Sequence, residues 1–512
     1  MQTTQTVTTG SGAASLSRRL SPQDATFLYL ETPEAPMSIG SVAIFEGHIS
    51  YRRFLESIQS RMHLIPRYRQ RVVEPPFNIG RPTWEFDLDF DIRRHIIRVP
   101  LPAPGTDEQL RKLTARLIRG QLDRSKPLWE LYFVEGLEGE RTALVSKIHH
   151  CLVDGVSGIE LMTVMLDVSA DPLPVIPPAA GPDPEEPSQS RLFFDALFDS
   201  ISESLDRAVD FQLMLTDALP GGNRERINTI AKGLRAAFPY VRTAREKMPF
   251  NNASFSGERE LAWAEIPFHE ARAVRKAHGG TVNDVVLTVL AGGLAYYARA
   301  HGEATEGRIA RVLCPVNVRR EDERSTLGNR VSMLLVELPL DVDDPVQRLK
   351  LITERTALLK QDSVADGVEA VADLLGGLPP MVMLGLTALP GPPNTIANMV
   401  CTNVPGPLIP LYSVGHRMIA HYPMVPIAWS MGIGCAVTSY DQSLYVGLTA
   451  DRQAAPDVDL LREGIERAWS ELRTAAGQQT VSLTPEAAKP EAAKQGAAEQ
   501  EAAKEERLAV AA

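Results

Sequence analysis

The chain has 512 residues, of which 44% are hydrophobic and 23% are charged, and its formal net charge at pH 7 is −11. This composition is typical of a folded globular protein, and the length predicts two domains with additional tails. The balance of 53 basic against 64 acidic residues argues against a general nucleic-acid binder. The four cysteines lie far apart without metal-ligand spacing, which predicts reduced thiols in a cytosolic protein.

A polar arm and a capped helix come first along the chain. Residues 1–19 are polar and lack an apolar core, which predicts a disordered arm and not a signal peptide. Thr106 and Gln109 have the spacing of a capping box at the start of a helix with an apolar leucine stripe. The basic residues of this helix, among them Arg111 and Lys112, lie largely off the stripe. A solvated helix face is therefore favoured over a landing site for phosphates or anionic lipid.

A predicted β-hairpin follows and ends in a histidine pair. The stretch PLWELYFVEGL predicts one strand, with Trp129, Leu131 and Phe133 on one face, and ALVSKIHH predicts the returning strand. In SKIHHCLVDGVSG, His149 and His150 are followed by Asp154 and Gly155, and a helix is predicted next. Such strand-to-helix junctions commonly carry function, because a rigid scaffold positions the loop.

The chemistry of histidine makes this pair a candidate for proton transfer. An unperturbed pKa of about 6.5 suits a general base near neutral pH. Because neighbours on a strand point to opposite faces, only one of His149 and His150 can face a given cleft. Asp154 could orient the ring or fix the loop by pairing with an arginine. The sequence lacks HExxH, GxSxG, Walker A and GxGxxG patterns, so neither a zinc site nor a serine nucleophile nor a nucleotide site is indicated.

The second half of the chain is predicted to be a mixed α/β region beyond a linker. Residues 170–190 are rich in proline and acidic residues, and amphipathic helices are predicted to about residue 245. Strands and helices then alternate, and the longest apolar run, residues 285–298, is too short for the ~20 residues of a membrane span. The predicted organisation is an arm (1–19), an N-terminal domain (20–170), a linker with crossover helices (171–250), a C-terminal domain (251–475) and a low-complexity tail with EAAK repeats (476–512).

The motif H-H-x-x-x-D-G resembles the signature of the coenzyme-A-dependent acyltransferase superfamily. Four further stretches resemble the bacterial wax ester synthase/diacylglycerol acyltransferase family, in particular its mycobacterial branch: LSPQDATFLYLETPEAPMSIGSVAIFEG, KPLWELYFVEGL, GGTVNDVVLTVLAGGL and CTNVPGP. The resemblance runs from about Leu20 to Arg473. It implies an α/β (α+β) fold of two similar chloramphenicol-acetyltransferase-like domains with mixed sheets and an active-site tunnel at their interface. The DFGWG segment of the superfamily has no clean match, and YPMVPIAWSMGIG is the nearest stretch.

The resemblance also implies roles for individual residues. His150 resembles the general base, His149 would be structural, Asp154 would pin the loop, and Gly155 would allow a tight turn. The other candidates, in the substrate-binding region, are Pro127, Leu128, Trp129, Asn283, Asp284, Thr402 and Asn403. For the PLW residues, packing is favoured over substrate contact. For the ND pair, helix capping and shaping of the CoA channel both stay open, and Thr402 or Asn403 is a candidate oxyanion donor.

The implied function is an acyl-CoA-dependent O-acyltransferase that converts diacylglycerol to triacylglycerol, with wax ester synthesis from long-chain alcohols as an open addition. Acyl-CoA is the co-substrate, and no metal, cofactor or covalent intermediate is implied. The alternatives are an acyltransferase for another hydrophobic alcohol or diol, and an inactive lipid-binding paralogue. We expect a cytoplasmic monomer or loose homodimer that contacts the inner membrane or lipid droplets peripherally. Residues 378–393 are a candidate for membrane contact or the tunnel mouth, although packing between domains is slightly favoured.

Overall fold

The first of two sheets is built around the predicted hairpin. The computed structural model describes residues 18–76, 80–152, 162, 165–172, 175, 246–251, 254–317, 331–361, 397–428 and 430–477. Strands β5 (Trp129–Leu137) and β6 (Arg141–His149) pair antiparallel, which confirms the hairpin. The remaining strands of this six-stranded sheet are β1 (Ser38–Phe45), β4 (Ile96–Pro100), β11 (Tyr412–Ser413) and β12 (His416–Met424). The spatial order is β11-β12-β1-β6-β5-β4, and β4 and β5 are parallel, so the sheet is mixed.

The helices of the first half begin at polar caps. In α1 (Pro22–Leu30), the side chain of Ser21 accepts a hydrogen bond from the amide of Asp24, and Pro22 occupies the first turn, where its missing N–H does no harm. Helix α3 (Asp107–Ile118) starts with the predicted capping box of Thr106 and Gln109, which is confirmed. Helix α2 (Tyr51–Arg61) packs on the sheet through ring contacts of Tyr51 and Phe54 with Phe133 of β5. A small hairpin pairs β2 (Gln70–Val73) with β3 (Thr83–Phe86).

The second sheet is also six-stranded and mixed. It contains β7 (Arg259–Pro267), β8 (Ile309–Asn317), β9 (Val331–Pro339), β10 (Met399–Val404), β13 (Ile433–Tyr440) and β14 (Ser443–Asp451), in the order β7-β14-β13-β10-β8-β9. Strand β10 runs parallel to both β8 and β13, and the other pairs are antiparallel. The mixed α/β character predicted for this half is therefore confirmed.

Helices cover the apolar core of the second sheet. They are α4 (Phe268–His278), α5 (Val282–Ala300), α6 (Pro345–Gln361) and α7 (Val458–Ala475). Helices α5 and α7 cross where Gly293 meets Gly464: a Cβ on Gly464 would lie only 2.9 Å from the carbonyl oxygen of Gly293. The two backbones touch there, and any side chain would separate the helices. Within the described residues no single helix is long and apolar enough to cross a bilayer, and only α4 and α5 together, bent by 99°, reach that length and composition.

Two strands of the C-terminal half, β11 and β12, join the N-terminal sheet, which the sequence does not predict. Strand β12 pairs antiparallel with β1, with Ala43 opposite His421. It crosses the second sheet where a Cβ on Gly447 would lie 1.8 Å from the carbonyl oxygen of Pro423, so only glycine permits this approach. The C-terminal segment therefore completes the sheet that carries the histidine motif. The domain boundaries given above stay predictions.

Polar contacts also link the two halves. Arg111, expected on a solvated helix face, instead pairs with Asp459 at 2.8 Å and donates to the carbonyl oxygen of Leu261, and that expectation is wrong for this residue. The Arg111 side chain points toward the second half, where the Asp459 carboxylate and the Leu261 carbonyl oxygen accept its hydrogen bonds. Arg259 pairs with the fully buried Asp451 at 3.2 Å and donates to the carbonyl oxygen of Glu34 at 2.9 Å. The segment between α1 and β1 is thereby tied to the second sheet.

Several predicted features lie outside the described residues. These are the arm up to residue 17, most of the loop that carries Asp154 and Gly155, the stretch 176–245, the apolar stretch 378–393 and the tail from residue 478.

Candidate active site

The histidine pair lies where β6 ends. His149 is the last residue of β6 and stands opposite Ser38, the first residue of β1. The chain then enters a single 3-10 turn, His150–Leu152, and the amide of His150 donates to the carbonyl oxygen of Met37 at 2.8 Å. The strand ends here because its partner β1 begins here. The predicted end of the strand at the histidine pair is thus confirmed, and most of the helix predicted after it lies outside the described residues.

The ring of His150 is partly buried and stacks on Phe27 of α1. The ring centroids are 3.9 Å apart and the planes are inclined by 13°. Burial, together with the neighbouring His149, lowers the pKa of His150 to about 4. The imidazole is therefore neutral at physiological pH, and a neutral imidazole is the form that accepts a proton.

His149 is buried and its ring has a defined tautomer. Its Nδ1 accepts a hydrogen bond from the backbone N–H of Cys151 at 3.2 Å, and the Sγ of Cys151 lies 3.0 Å away. Burial raises the pKa of the Cys151 thiol well above its ordinary value, so this sulfur stays protonated. Because Nδ1 is an acceptor, a ring proton of His149 is carried by Nε2, which lies 3.5 Å from Oε1 of Glu31. That contact is longer than a good hydrogen bond and is mainly electrostatic.

Glu31 is a site residue that the sequence reasoning missed. Its side chain is 1% exposed, its Oε1 accepts from the amide of Met37 at 3.1 Å, and its Oε2 accepts from Arg124 at 3.1 Å. Burial alone would raise the pKa of Glu31, but His149, the Met37 amide and Arg124 together lower it below its ordinary value. A carboxylate at the C-cap of a helix without a basic residue in its last turn opposes the helix dipole. This unfavourable position of a carboxylate is the feature of the sequence that could have pointed to Glu31.

The PLW residues form a buried layer beside the histidines. Leu128 is fully buried, and its carbonyl oxygen accepts from the amide of His149 at 3.0 Å. The indole N–H of Trp129 donates to the carbonyl oxygen of Tyr68 at 2.8 Å, and the indole stacks on His95 with centroids 4.5 Å apart. Pro127 is buried as well. These positions support a packing role for all three residues.

The remaining candidates lie in the second half, at the start of helix α5 and on strand β10. Asp284 closes a capping box with Thr281 at the start of α5, and its Oδ1 accepts from Thr356 at 2.7 Å. The side-chain amide of Asn403 donates to Oδ1 of Asn283 at 3.2 Å, so these two predicted residues are brought together. Thr402 is partly exposed on β10. Within the described ranges, no hydrogen bond or ring contact links this cluster to His150. The same ranges contain no group of three or more potential metal ligands.

The structure combines two mixed sheets with a histidine pair at the end of a central strand, and similarity to known proteins shows the family to which it belongs. Residues 20–286 match the model of the wax ester synthase/diacylglycerol acyltransferase catalytic domain, and residues 327–473 match the C-terminal domain of the same group. The chain belongs to the wax ester synthase/diacylglycerol acyltransferase family, and it is an acyltransferase.

Relatives and solved structures agree with this assignment. The chain is 31% identical over 467 residues, 90% of this chain and 97% of the relative, to a Mycobacterium tuberculosis protein named "Probable diacyglycerol O-acyltransferase tgs1". It is 31% identical over 479 residues to the same organism's tgs2, covering 89% of this chain and 99% of the relative. The wax ester synthase/diacylglycerol acyltransferase from Marinobacter aquaeolei VT8 has a TM-score of 0.62 at 25% identity and covers 90% of this chain and 100% of its own. A condensation domain of the calcium-dependent antibiotic synthetase shares the fold, with a TM-score of 0.57 at 15% identity over 92% of this chain and 100% of its own. The predicted family and two-domain mixed-sheet fold are confirmed.

Proposed function

We propose that this acyltransferase moves the acyl group of an acyl-CoA onto the hydroxyl group of diacylglycerol, with His150 as the general base. The observation that carries the proposal is the neutral, partly exposed ring of His150, held at the end of β6 against Phe27. The names of the 31%-identical mycobacterial relatives support diacylglycerol as the acceptor. Long-chain alcohols are the second acceptor class to be compared.

The reaction needs one proton carrier and no covalent intermediate. The unprotonated ring nitrogen of His150 takes the proton from the acceptor hydroxyl as the hydroxyl oxygen attacks the thioester carbonyl. The tetrahedral intermediate then expels the CoA sulfur, which receives the proton back from the imidazolium. One O–H bond and one C–S bond break, and one C–O bond and one S–H bond form, so the products are an ester and CoA thiol.

Thr402 and Asn403 are the proposed donors to the oxyanion of the intermediate. The support is chemical: both are partly exposed, and the Asn403 amide has a second N–H beyond the one given to Asn283. Thr402→Val and Asn403→Ala should each lower kcat by about 100-fold if that residue is the donor. Unchanged turnover in both variants would exclude both residues.

The other site residues keep supporting roles in the proposal. Asp154 and Gly155 would pin and turn the loop after His150, and Asp284 caps α5 through its contact with Thr281. Shaping of the CoA channel stays a proposal for Asn283. Acyl-CoA serves as co-substrate.

We also propose that catalysis takes place at the cytoplasmic surface of a membrane or lipid droplet, because the acceptor is water-insoluble. Aspartate at Met383 and Leu386 should weaken flotation with liposomes while leaving the melting temperature unchanged. Equal flotation of this variant and the wild type would argue against that contact surface.

Identification of the product tests the proposed activity. Purified protein is incubated with palmitoyl-CoA and either dioleoylglycerol or hexadecanol, and the lipid products are separated by thin-layer chromatography. We expect triacylglycerol from dioleoylglycerol, at a higher rate than the wax ester forms from hexadecanol. Faster wax ester formation would instead identify long-chain alcohols as the preferred acceptor class. No ester from either acceptor, with correctly folded protein, would favour another hydroxyl acceptor or a lipid-binding role.

A further inference from the structure

Helix α1 presents two side chains, one helical turn apart, to the surroundings of His150. Phe27 stacks on the imidazole ring, and Glu31, at the C-cap of the same helix, makes contacts that lead to the backbone on both sides of His150. Residues at i and i+4 lie on the same helix face, so one helix reaches both the ring and the backbone.

The first contact path runs through Met37. Oε1 of Glu31 accepts from the Met37 amide at 3.1 Å, and the Met37 carbonyl oxygen accepts from the His150 amide at 2.8 Å. Met37 is 3% exposed, so water does not compete well for these groups. Glu31 therefore fixes the amide of the residue whose carbonyl oxygen accepts from the N–H of His150.

The second contact path runs through His149. The same Oε1 lies 3.5 Å from Nε2 of His149, and Nδ1 of that ring accepts from the Cys151 amide at 3.2 Å. Cys151 follows His150 directly. The amides of His150 and of its successor are thus both fixed by groups that contact one carboxylate.

Arg124 completes the arrangement. It donates to Oε2 of Glu31 at 3.1 Å and to the carbonyl oxygen of Leu28, in the last turn of α1, at 2.8 Å. The carboxylate is thereby charge-balanced although its side chain is 1% exposed. The guanidinium also ties Glu31 to the helix that carries Phe27.

From these contacts we infer that Glu31 is a positioning residue for the acyl-transfer reaction, acting on His150 through Met37 and His149. The inference rests on the proposed role of His150 as general base. Glu31 does not touch the reacting atoms. It fixes the backbone from which the imidazole projects, and a displacement of about 1 Å at a reacting group costs on the order of 100-fold in rate.

The test compares Glu31→Ala and Glu31→Gln with the matched control Glu34→Ala, which removes an exposed carboxylate three residues away. We expect Glu31→Ala to lower kcat for CoA-thiol release by about 100-fold at an unchanged KM for palmitoyl-CoA. Glu31→Gln keeps the side-chain volume and an acceptor oxygen. It should therefore fold more readily than Glu31→Ala and show a smaller loss of kcat. Glu34→Ala should match the wild type.

A double-variant cycle separates positioning from a general structural role. If Glu31 acts through His150, adding Glu31→Gln to His150→Ala should leave the residual rate unchanged. A further loss of rate in the double variant, equal to that of Glu31→Gln alone, would overturn the inference. Wild-type kcat in both Glu31 variants, with His150→Ala inactive, would overturn it while leaving the general base intact. An active His150→Ala would instead refute the proposed function.

Discussion

The stacking of Phe27 on His150 allows a quantitative prediction about pH dependence. An ordinary histidine has a pKa of about 6.5, whereas burial and His149 lower that of His150 to about 4. The difference corresponds to about 3 kcal/mol against the charged ring. Phe27 covers one ring face at a centroid distance of 3.9 Å and so excludes water from that face.

Replacing Phe27 by alanine should therefore raise the pKa of His150. We expect a rise of at least about one pH unit, because water regains access to one of the two ring faces. A general base must be neutral to act. In the wild type, the acidic limb of kcat/KM should lie near the pKa of about 4, and in Phe27→Ala it should move toward neutral pH. In Phe27→Leu, which keeps part of the apolar cover, the acidic limb should lie between those of the wild type and Phe27→Ala.

The assay is CoA-thiol release from palmitoyl-CoA between pH 4 and pH 8, with activity re-measured at pH 7 after each acid exposure. Phe90→Ala is the matched control, since Phe90 stacks on His95 at 5.2 Å elsewhere in the same half. The control should retain the wild-type limb. An unchanged limb in Phe27→Ala, or a wild-type limb near pH 6.5, would refute the account of the His150 environment.

Three further predictions concern stability. Trp129→Phe removes the hydrogen bond to Tyr68 and should lower the free energy of unfolding by about 1–2 kcal/mol in a urea titration, with kcat close to wild type; a large kcat loss at full stability would indicate substrate contact instead. Asp451→Ala leaves buried Arg259 without its carboxylate and should destabilise the protein by about 3–5 kcal/mol in guanidinium titrations, and a loss below about 1 kcal/mol would contradict this. Burial lowers the pKa of His421 to about 4, so the unfolded chain binds a proton that the folded one resists, and stability falls as the pH drops from about 6.5 toward 4. His421→Leu should remove up to about 3 kcal/mol of that loss in pH-dependent melting, and an equal acid sensitivity in the variant would show that another group is responsible.

Local patterns predicted the elements that depend on local physics. Alternating apolar residues gave the β5–β6 hairpin, and the Thr106 and Gln109 spacing gave the start of α3. The position of the histidine pair at the end of β6 followed from the same alternation. These features are set by side-chain periodicity and capping within about ten residues of chain, which a sequence displays directly.

Long-range partners could not be read in this way. The pairing of β12 with β1 joins residues several hundred positions apart, and the periodicity of either strand does not identify its partner. The Glu31 carboxylate faces His149 only because α1 folds back over the end of β6. Arg111 looked solvated on the helix, since its partner Asp459 comes from the far end of the chain.

The proposed function depends on removal of the acceptor proton by His150 during acyl transfer. The most direct measurement is CoA-thiol release from palmitoyl-CoA with dioleoylglycerol for the wild type, for His150→Ala and for the control His269→Ala, an exposed histidine on α4. Matching circular dichroism spectra and melting temperatures establish that the variants are folded. We expect a loss of about 10²–10⁴-fold in His150→Ala and no loss in the control. Folded His150→Ala with wild-type turnover would contradict it.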